Sequence, residues 1–509
     1  MKRWYARVLP GGVAAIVSVG TVLAVGLVVV SGPSPYAGCS NAGEPGSVTV
    51  NGEVEPSVAV NPATVGTANV NIIGAWQQDR WANGGAHGIA VGSSLDGGTT
   101  WAETTLPFSV CAPNAILDPF TGAPYLRASD PWVSIGPDGT AYAVGLLATN
   151  STGAGNNDTG IATVTSSDGG RSWGNARLLK SDQGTSPIFE ATQFFNDKES
   201  ITADPTHPGR AYVVWDRLQG PSQSPDAVLV SRAFRGPTWF SMTSDGGKTW
   251  STARPIFDPG QNSQTIGNVI VVDPTTGRLY DFFADFQTTG SPKFIPRGLS
   301  VGFVTSDDGG LTWSGPATVS GEQVANDVDP VTGQQLRTAE ELPSVAIDPR
   351  VGSGGNLYVV WEDSRFSGGA INQVVISTST NHGATWTQPA LVSTTTGRPA
   401  FTPTVAVNSA GTVGVTYYDL RNLLAGNTST LPTDLWLKTS PAGGASFGAD
   451  THVAGSFNLL AAPFAGGFFV GDYQAIGVNG TSFVPFFVQT NCSTGLCPSN
   501  PTDVYTGSF

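Results

Sequence analysis

The chain has 509 residues, including 65 glycines and 36 prolines, and only 12% of its residues are charged. This composition favours short strands joined by tight turns and excludes an architecture of long surface helices, which would need far more Lys and Glu. The formal net charge of -14 excludes a nucleic-acid-binding role, because no basic surface exists to neutralise phosphates.

The N-terminal segment predicts export. Lys2, Arg3 and Arg7 precede an uncharged apolar stretch over residues 8–30, which is typical of a signal peptide. Its length is close to that of a spanning helix, so an uncleaved anchor is an alternative, and residues 36–39 (YAGC) offer a third, lipoprotein cleavage at Cys39. We therefore assign residues 1–40 to a signal peptide or membrane anchor. Residues 41–509 form the folded domain, which we expect to be extracellular, secreted or surface-anchored, and monomeric.

Four cysteines remain to be paired. An even number in an exported chain favours disulfides. Cys492 and Cys497 close a short loop that contains Gly495, so they form the first expected pair, and Cys39 and Cys111 are left by elimination. The spacing does not resemble a zinc site, and we expect neither a metal nor a cofactor.

An internal repeat is the strongest signal in the sequence. Residues 94–101 (SLDGGTTW) recur at 166–173, 243–250 and 306–313; a fifth copy at 379–386 has Asn381 in place of Asp, and a sixth at 440–447 is degenerate. The Asp can accept hydrogen bonds from the turn backbone, the Gly supplies a positive φ, and the Trp adds apolar surface. The pattern resembles the Asp box, or BNR repeat, of the sialidase/neuraminidase-like superfamily, and this resemblance implies a β-propeller.

A second repeat marks the start of each unit. Residues 56–62 (PSVAVNP) have counterparts through the chain, the last at 474–479, which makes seven starts. Each is an inner strand followed by a turn and a second strand. We therefore predict an all-β propeller of four-stranded blades, with seven blades preferred and six, as in sialidases, the alternative. We expect residues 47–51 to pair with residues 503–509, since ring closure removes exposed strand edges.

Strand direction predicts which face holds a site. Antiparallel strands alternate in direction, so the start of the first strand and the end of the second share one face, opposite the boxes. Charged residues concentrate at these positions: Glu55, Asp130, Glu199, Glu341 and Asp472 before first strands, and Asp79, Arg80, Arg217, Arg365 and Arg421 after second strands. They either pair between neighbouring blades or form an axial site for an anionic or polyhydroxylated ligand.

The sialidase family cleaves terminal sialic acid with a Tyr nucleophile, a Glu that polarises it, an Asp acid/base and three Arg that bind the sugar carboxylate. The resemblance of residues 471–476 (GDYQAI) implies that Tyr473 is the nucleophile, with Glu341 or Glu199 as its Glu. Candidates for substrate binding are Arg80, Arg217, Arg365, Arg421, Asp472, Glu55 and Asp130. The family's early Arg motif is absent at Glu55, and the loop after Arg80 lacks the acid/base Asp, for which Asp79 or His87 would substitute.

The resemblance implies an exported glycosidase of the exo-alpha-sialidase type that cleaves terminal acidic sugars. A non-catalytic surface propeller that binds glycans or a protein partner is the first alternative. A lyase acting on uronic acids is the second. The expected ligand of an enzyme of either kind is a carbohydrate or glycoconjugate, and contact between Tyr473 and a Glu at the axis would favour the hydrolase.

Overall fold

The computed structural model describes residues 26–509 except 41–45, 150–157, 185–193, 222–232, 290–295, 353–354, 395–396 and 442. This part of the chain forms thirty β-strands and two single-turn 3-10 helices, η1 (Arg365–Ser367) and η2 (Leu459–Ala461). The predicted all-β propeller class is confirmed. None of the described residues belongs to a helix long and apolar enough to cross a membrane. Most of the predicted export segment, residues 1–25, lies outside the described residues.

The described strands pair into five sheets, three of four strands and two of nine. Antiparallel pairing within these sheets gives seven four-stranded units, which we call blades 1–7. In chain order the strands are β1 (Val28–Val29) and β2 (Val48–Thr49); β3 (Val54–Val60), β4 (Ile72–Trp81), β5 (Ala86–Ser94) and β6 (Ala102–Thr105) of blade 1; β7 (Arg127–Ile135), β8 (Ala141–Ala148), β9 (Thr159–Ser166) and β10 (Gly174–Asp182) of blade 2; β11 (Phe194–Ala203), β12 (Ala211–Pro221), β13 (Ala233–Gly236), β14 (Thr238–Thr243) and β15 (Arg254–Phe257) of blade 3; β16 (Ser263–Val272), β17 (Leu279–Thr288), β18 (Pro296–Ser306) and β19 (Ala317–Gly321) of blade 4; β20 (Ser344–Ile347), β21 (Leu357–Asp363), β22 (Gln373–Ser379) and β23 (Ala390–Leu391) of blade 5; β24 (Ala400–Val407), β25 (Val413–Asp419), β26 (Pro432–Ser440) and β27 (Thr451–Asn458) of blade 6; and β28 (Ala475–Asn479), β29 (Ser482–Thr490) and β30 (Thr502–Thr506) of blade 7. In blade 3, β13 is an additional strand on β12.

The ring closes through a different segment from the one predicted. Strand β1 pairs with β30 and supplies the fourth strand of blade 7, with Val28 opposite Thr506. Residues 47–51, the predicted closing strand, contribute only β2, which pairs with the end of β4. The left-handed conformations of Gly46 and Asn51 limit that segment to two extended residues. Residues 28–29 therefore pack on the ring although they precede residue 41, and the domain boundary at residue 40 stays a prediction.

Strand register separates two faces of the propeller. Val60, Ile72 and Ser94 lie side by side across blade 1, and Ser94 begins the first repeated box turn. Val54, at the other end of the inner strand, pairs with Gln77. The starts of the inner strands therefore lie on the face opposite the box turns, as predicted.

Each box turn is held by its own side chains. In the first copy, Asp96 Oδ1 accepts hydrogen bonds from the backbone N–H groups of Thr99 (3.0 Å) and Thr100 (2.9 Å), and Ser94 Oγ accepts one from Gly98 (2.8 Å). The indole N–H of Trp101 donates to the Gly98 carbonyl. These bonds favour the ionised carboxylate, and the side-chain bond from Thr100 contributes most to lowering the pKa of Asp96 to about 2.

Apolar side chains fill the space between neighbouring blades. Ile73 and Ile89 of blade 1, for example, form one cluster with Val133 and Ile135 of blade 2. Equivalent tryptophans in the second strands of blades 1, 3 and 5 are fully buried: Trp76, Trp215 and Trp361. This packing fixes the inner strands around the axis and so determines where their first residues meet.

Candidate functional site

Four inner strands each have, in their first half, a non-glycine residue in the left-handed backbone region. The φ angles are 53° at Glu55, 53° at Asp130, 47° at Lys198 and 48° at Thr402. Strand pairing shifts register at each of these residues, so each lies in a bulge. A non-glycine residue in this region costs on the order of 1–3 kcal/mol, and bulges redirect side chains. These four blades thus share a strained β-bulge in the first half of the inner strand. In three of the four, the residue with positive φ is charged.

These charged residues meet at the axis. The Lys198 ammonium lies 2.6 Å from Asp472 Oδ2, 3.2 Å from Glu55 Oε1 and 3.3 Å from Asp130 Oδ2. Arg337 donates two hydrogen bonds to the same Asp472 carboxylate, at 2.8 and 2.6 Å. We call Glu55, Asp130, Lys198, Arg337 and Asp472 the axial cluster. It joins blades 1, 2, 3 and 7 to the segment that precedes blade 5.

The axial cluster contains carboxyl groups with opposite protonation tendencies. Burial would raise the pKa of Asp472, but the positive charges of Arg337 and Lys198 outweigh burial and hold it well below its usual range. Burial also opposes ionisation of Asp130, yet chiefly Lys198 lowers its pKa. Glu55 is different, because burial and the Asp130 carboxylate raise its pKa well above the ordinary value. Asp130 and Asp472 are therefore ionised near neutral pH.

Two further carboxyl groups flank the cluster on the start of β11. Burial, reinforced by the Asp130 carboxylate, raises the pKa of Asp197 to about 7. The same two causes, in the same order, raise the pKa of Glu199 well above its usual range. Glu199 is only 3% exposed, and among the described residues neither of its carboxyl oxygens has a hydrogen-bond partner. Leaving such a group unpaired is costly, which makes this position unusual in a folded protein.

A cavity of about 170 Å³ extends along the inner strands beside the axial cluster. Lys198, Glu199 and Asp472 contribute to its lining, together with the aromatic side chains of Trp132 and Tyr473. The rings of these two aromatic residues lie 5.3 Å apart between centroids. The cavity thus combines charged groups with an apolar surface, as ligand sites commonly do.

Tyr473 reaches the axis but not the partner predicted for it. Its hydroxyl donates a hydrogen bond of 3.1 Å to the carbonyl of Pro131. Burial and the nearby carboxylates, with Glu55 the largest contributor among them, raise the pKa of Tyr473 well above 10. Both effects oppose formation of a phenolate, the species that a tyrosine nucleophile requires.

Arg80 also lies next to the cluster. Its guanidinium donates to Gln77 Oε1 at 2.7 Å, and the Gln77 amide donates in turn to Glu55. Arg80 and Arg337 both lie over the Phe469 ring, at 5.1 and 4.4 Å from its centroid. Burial, followed by the charge of Arg337, lowers the pKa of Arg80 to about 10. Of the predicted arginines, Arg80 is the one that the structure brings to the cluster.

The other three predicted arginines do not converge on a common spot. Arg217 pairs with Asp182 of the neighbouring blade through a 2.8 Å bond from Nε. Arg365 bonds Asp363 on its own blade at 2.8 and 2.7 Å. Arg421 is held by Asp419 at 2.7 Å and by Asp450 at 2.9 Å. Each guanidinium is thus neutralised where its strand ends, and the binding of a substrate carboxylate by these arginines stays a prediction.

Asp79 and Glu341, two predicted catalytic residues, have other partners. Asp79 accepts bonds from the Ser34 hydroxyl at 2.7 Å and from the Asn51 backbone at 2.8 Å, and lies 3.1 Å from His87 Nδ1. It is fully buried, and these contacts make it a structural anchor for the N-terminal segment. Glu341 lies beside other acidic groups and raises the pKa of both Glu322 and Glu340, after burial itself.

Lys198 and Arg337 were not predicted from the sequence, although each lies at a position that is equivalent to one elsewhere in the chain. Lys198 occupies the position equivalent to Glu55 and Asp130 in the next blade. Arg337 ends residues 329–337 (DPVTGQQLR), which resemble residues 118–127 (DPFTGAPYLR). The second stretch ends in Arg127, which is buried against the Trp81 ring at 4.2 Å. Comparison of these two stretches would have indicated Arg337.

Within the described part of the chain, no group of three or more His, Cys, Asp or Glu residues is arranged to hold a metal ion. The axial cluster neutralises its own carboxylates with Lys198 and Arg337 instead.

Comparison with known proteins supports the predicted resemblance. No family model matches the chain. A sialidase of Micromonospora viridifaciens is 29% identical over 163 residues, which cover 29% of this chain and 22% of that protein. The chain therefore matches about a fifth of the length of this relative. Over these residues the chain is similar to that sialidase.

Among the solved structures that are similar to this chain are an arabinanase and a sialidase. Penicillium chrysogenum alpha-L-arabinanase, complexed with arabinobiose, is 13% identical with a TM-score of 0.47, covering 96% of this chain and 98% of that one. Trypanosoma rangeli sialidase, in complex with 2,3-difluorosialic acid, is 12% identical with a TM-score of 0.45, covering 77% of this chain and 56% of that one.

Proposed function

We propose that the protein is an extracellular glycosidase that binds carbohydrate at the axial cluster and hydrolyses a glycosidic bond there. One feature supports this proposal: burial and the Asp130 carboxylate raise the pKa of Asp197 to about 7, whereas Lys198 and Arg337 lower the pKa values of Asp130 and Asp472. Glycoside hydrolysis uses such a pair of carboxyl groups in opposite protonation states. The two disulfides support an extracellular location.

Each group has a defined role in this proposal. Asp197 donates its proton to the glycosidic oxygen as the bond to the anomeric carbon breaks. Asp130 either takes a proton from the attacking water or attacks the anomeric carbon itself. Lys198 holds Asp130 in its ionised form, so that the two carboxyl groups keep different protonation states. Trp132 and Tyr473 offer an apolar surface for a sugar ring.

Cleavage of a terminal acidic sugar, of the exo-alpha-sialidase type, is the finer form of the proposal. Arg80, Lys198 and Arg337 supply the positive charge that such a sugar would need. Because Arg337 is already bound by Asp472, the sugar carboxylate would have to replace Asp472 there. Tyr473 would serve as nucleophile only after exchanging the Pro131 carbonyl for a carboxylate partner.

A non-catalytic glycan-binding propeller is the second candidate. It is favoured by the hydrogen bond of Tyr473 to a backbone carbonyl and by the structural pairing of Arg217, Arg365 and Arg421. On this alternative the same axial cavity would hold a sugar without cleaving it.

The test is an activity survey of the exported full-length protein with umbelliferyl glycosides of sialic acid, uronic acids, and neutral pentoses and hexoses. Asp197→Asn should lower kcat on the accepted substrate by about 100-fold or more, since an amide cannot donate the proton. Asp285→Asn is the matched control, because burial also raises the pKa of Asp285 but its strand, β17, lies in blade 4. Tyr473→Phe should retain activity. Loss of activity in this variant would indicate that the tyrosine is the nucleophile.

Three outcomes would count against the hydrolase. A wild-type protein that cleaves no glycoside in the panel but binds a glycan in calorimetry would support the binding module. Equal activity of Asp197→Asn and wild type would remove Asp197 from the mechanism. Loss of activity in Asp285→Asn, with its fold intact, would show that the effect is not specific to the axis.

A further inference from the structure

The N-terminal residues of the folded part join the two ends of the ring. We call residues 28–39 the closing strap. Its first residues pair with β30, and the Val30 backbone N–H donates to the Val504 carbonyl at 2.8 Å. The Ser31 hydroxyl accepts a hydrogen bond from the Val504 backbone at 2.9 Å and donates one to Asp503 at 3.0 Å. The strap therefore completes blade 7 with regular backbone bonds.

The strap is also buried between blades 7 and 1. Val30 is 6% exposed and packs in one cluster with Trp76 and Phe486. Opposite it stands Gly92, where a β-carbon would lie only 2.8 Å from the Val30 side chain. A glycine at this point makes room for the strap, so blade 1 is shaped to receive it.

The second half of the strap is fixed to blade 1 by side chains. Tyr36 is 2% exposed, and its hydroxyl donates to the Ile89 carbonyl at 2.9 Å. Gly88 lies under its ring, where a β-carbon would overlap the aromatic atoms. Ser34 donates to the buried Asp79 at 2.7 Å. Finally, Cys39 forms a disulfide with Cys111, as the sequence predicted.

The strap overlaps the predicted export segment, whose apolar stretch runs to residue 30. We propose that proteolytic removal of the export segment is confined to the N-terminal side of Val28, so that the mature protein keeps the closing strap. A cut between residues 28 and 40 would leave the β30 edge unpaired and uncover the apolar surface around Trp76. Lipoprotein processing at Cys39 is incompatible with the strap, because it would remove residues 28–38 and modify a thiol that is bonded to Cys111.

The proposal rests on export of the chain and is independent of its enzymatic activity. Intact mass and N-terminal sequencing of the exported full-length protein give the first test. We expect an N-terminus at or before Val28, and a peptide disulfide-linked through Cys39 to Cys111 after non-reducing digestion. A folded, cooperatively melting protein whose N-terminus falls at residues 29–40 would overturn the proposal.

Neighbouring valines provide matched variants that test whether the strap is retained and packed. Val30 is 6% exposed and Val29 is 47% exposed, although both are in the strap. Val30→Asn should lower Tm by about 3 °C or more, whereas Val29→Asn should change it by less than about 1 °C. Equal Tm values for the two variants would mean that the strap is absent or unpacked in the mature protein.

The disulfide needs its own control. Cys39→Ser/Cys111→Ser removes the covalent link but leaves the strap sequence otherwise intact. If Val30→Asn lowers Tm further in this background, packing of β1 stabilises the ring apart from the disulfide, as proposed. If it has no additional effect there, the strap acts only as a tether, and its role as a closing strand is refuted.

Discussion

Removal of the Lys198 charge tests whether the axial cluster is a buried network. Lys198 is 10% exposed in its side chain, and its three partners are at most 6% exposed: Glu55, Asp130 and Asp472. The change Lys198→Met keeps most of the aliphatic stem and deletes the ammonium group. Asp130 would then lose the cation that lowers its pKa most, and Asp472 would lose the second of its two cations.

The magnitude follows from this burial. Breaking a buried ion pair by removing one partner costs about 3–5 kcal/mol, compared with about 0–1 kcal/mol for an exposed pair. Asp472 keeps its two bonds from Arg337, so the expected loss in the free energy of unfolding lies near the lower limit, about 3 kcal/mol at pH 7. The loss should shrink as the pH falls towards 5, because the uncompensated carboxylates then take up protons.

Guanidinium unfolding followed by tryptophan fluorescence gives the measurement, with the midpoint and slope fitted separately. Arg278→Met is the matched control, since Arg278 pairs with Asp307, whose side chain is 68% exposed. That variant should lose no more than about 1 kcal/mol. A loss below about 1 kcal/mol for Lys198→Met, or one that does not change with pH, would show that the cluster is hydrated and would refute the reasoning.

Two further predictions concern pH and the disulfides. Burial raises the pKa of Asp158 to about 6 and that of Asp197 to about 7 in the folded chain. The stabilisation from these two groups is therefore complete at a pH below their pKa values in the unfolded chain, and it is lost as the pH rises through about 6 to 7. Thermal melts should accordingly show a higher Tm at pH 5 than at pH 8. A Tm that rises from pH 5 to pH 8 would contradict this. The lengths of the closed loops predict the loss in the free energy of unfolding when each disulfide is removed. Cys39→Ser/Cys111→Ser, with a separation of 72 residues, should cost about 4 kcal/mol, and Cys492→Ser/Cys497→Ser, with a separation of 5, about 2 kcal/mol. Equal losses for the two variants in chemical unfolding would contradict a chain-entropy origin of the stabilisation.

Repetition made the fold predictable from the sequence. Box turns and strand starts occur in several copies, so a degenerate copy can be assigned by comparison with the intact ones. Strand direction then places Glu55 and Asp130 on one face. The closing strand could not be predicted in the same way. Strand β1 (Val28–Val29) is not part of either repeat, and it is embedded in an apolar stretch that is typical of an export segment, so hydropathy alone did not indicate a strand there.

The arginines show why side-chain partners could not be predicted from the sequence. Arg365 and Arg421 each follow a strand that ends in Asp, and the sequence suits both an intrablade pair and a ligand site. Which one forms depends on whether the Asp, two residues earlier, is close enough to neutralise the guanidinium. The structure shows that it is, at 2.7 Å from each guanidinium. Arg337, in contrast, is carried to the axis by a connecting segment, where spacing in the sequence gives no distance.

If the protein binds carbohydrate as proposed, the partner of Arg337 would determine which sugars the axial cluster accepts. Lys198 and Arg337 together neutralise Asp472, so neither is available to an anionic ligand without displacing that carboxylate. Asp472→Asn removes the competing charge and keeps the side-chain size. We therefore expect this variant to bind an acidic sugar, such as free sialic acid or glucuronate, at least about 10-fold more tightly than the wild type, whereas affinity for the corresponding neutral sugar should change little.

Calorimetric titration with glucuronate and glucose as a matched pair measures this selectivity, and Asp307→Asn serves as a control for the overall loss of one negative charge. The control matters because a chain of net charge -14 repels anions at low salt whatever its local structure. If Asp307→Asn improves glucuronate binding as much as Asp472→Asn does, the gain is a long-range effect of net charge. If Asp472→Asn alone improves it, the sugar carboxylate binds at Lys198 and Arg337, the two cations that Asp472 neutralises in the wild type, and the axial cluster is the binding site.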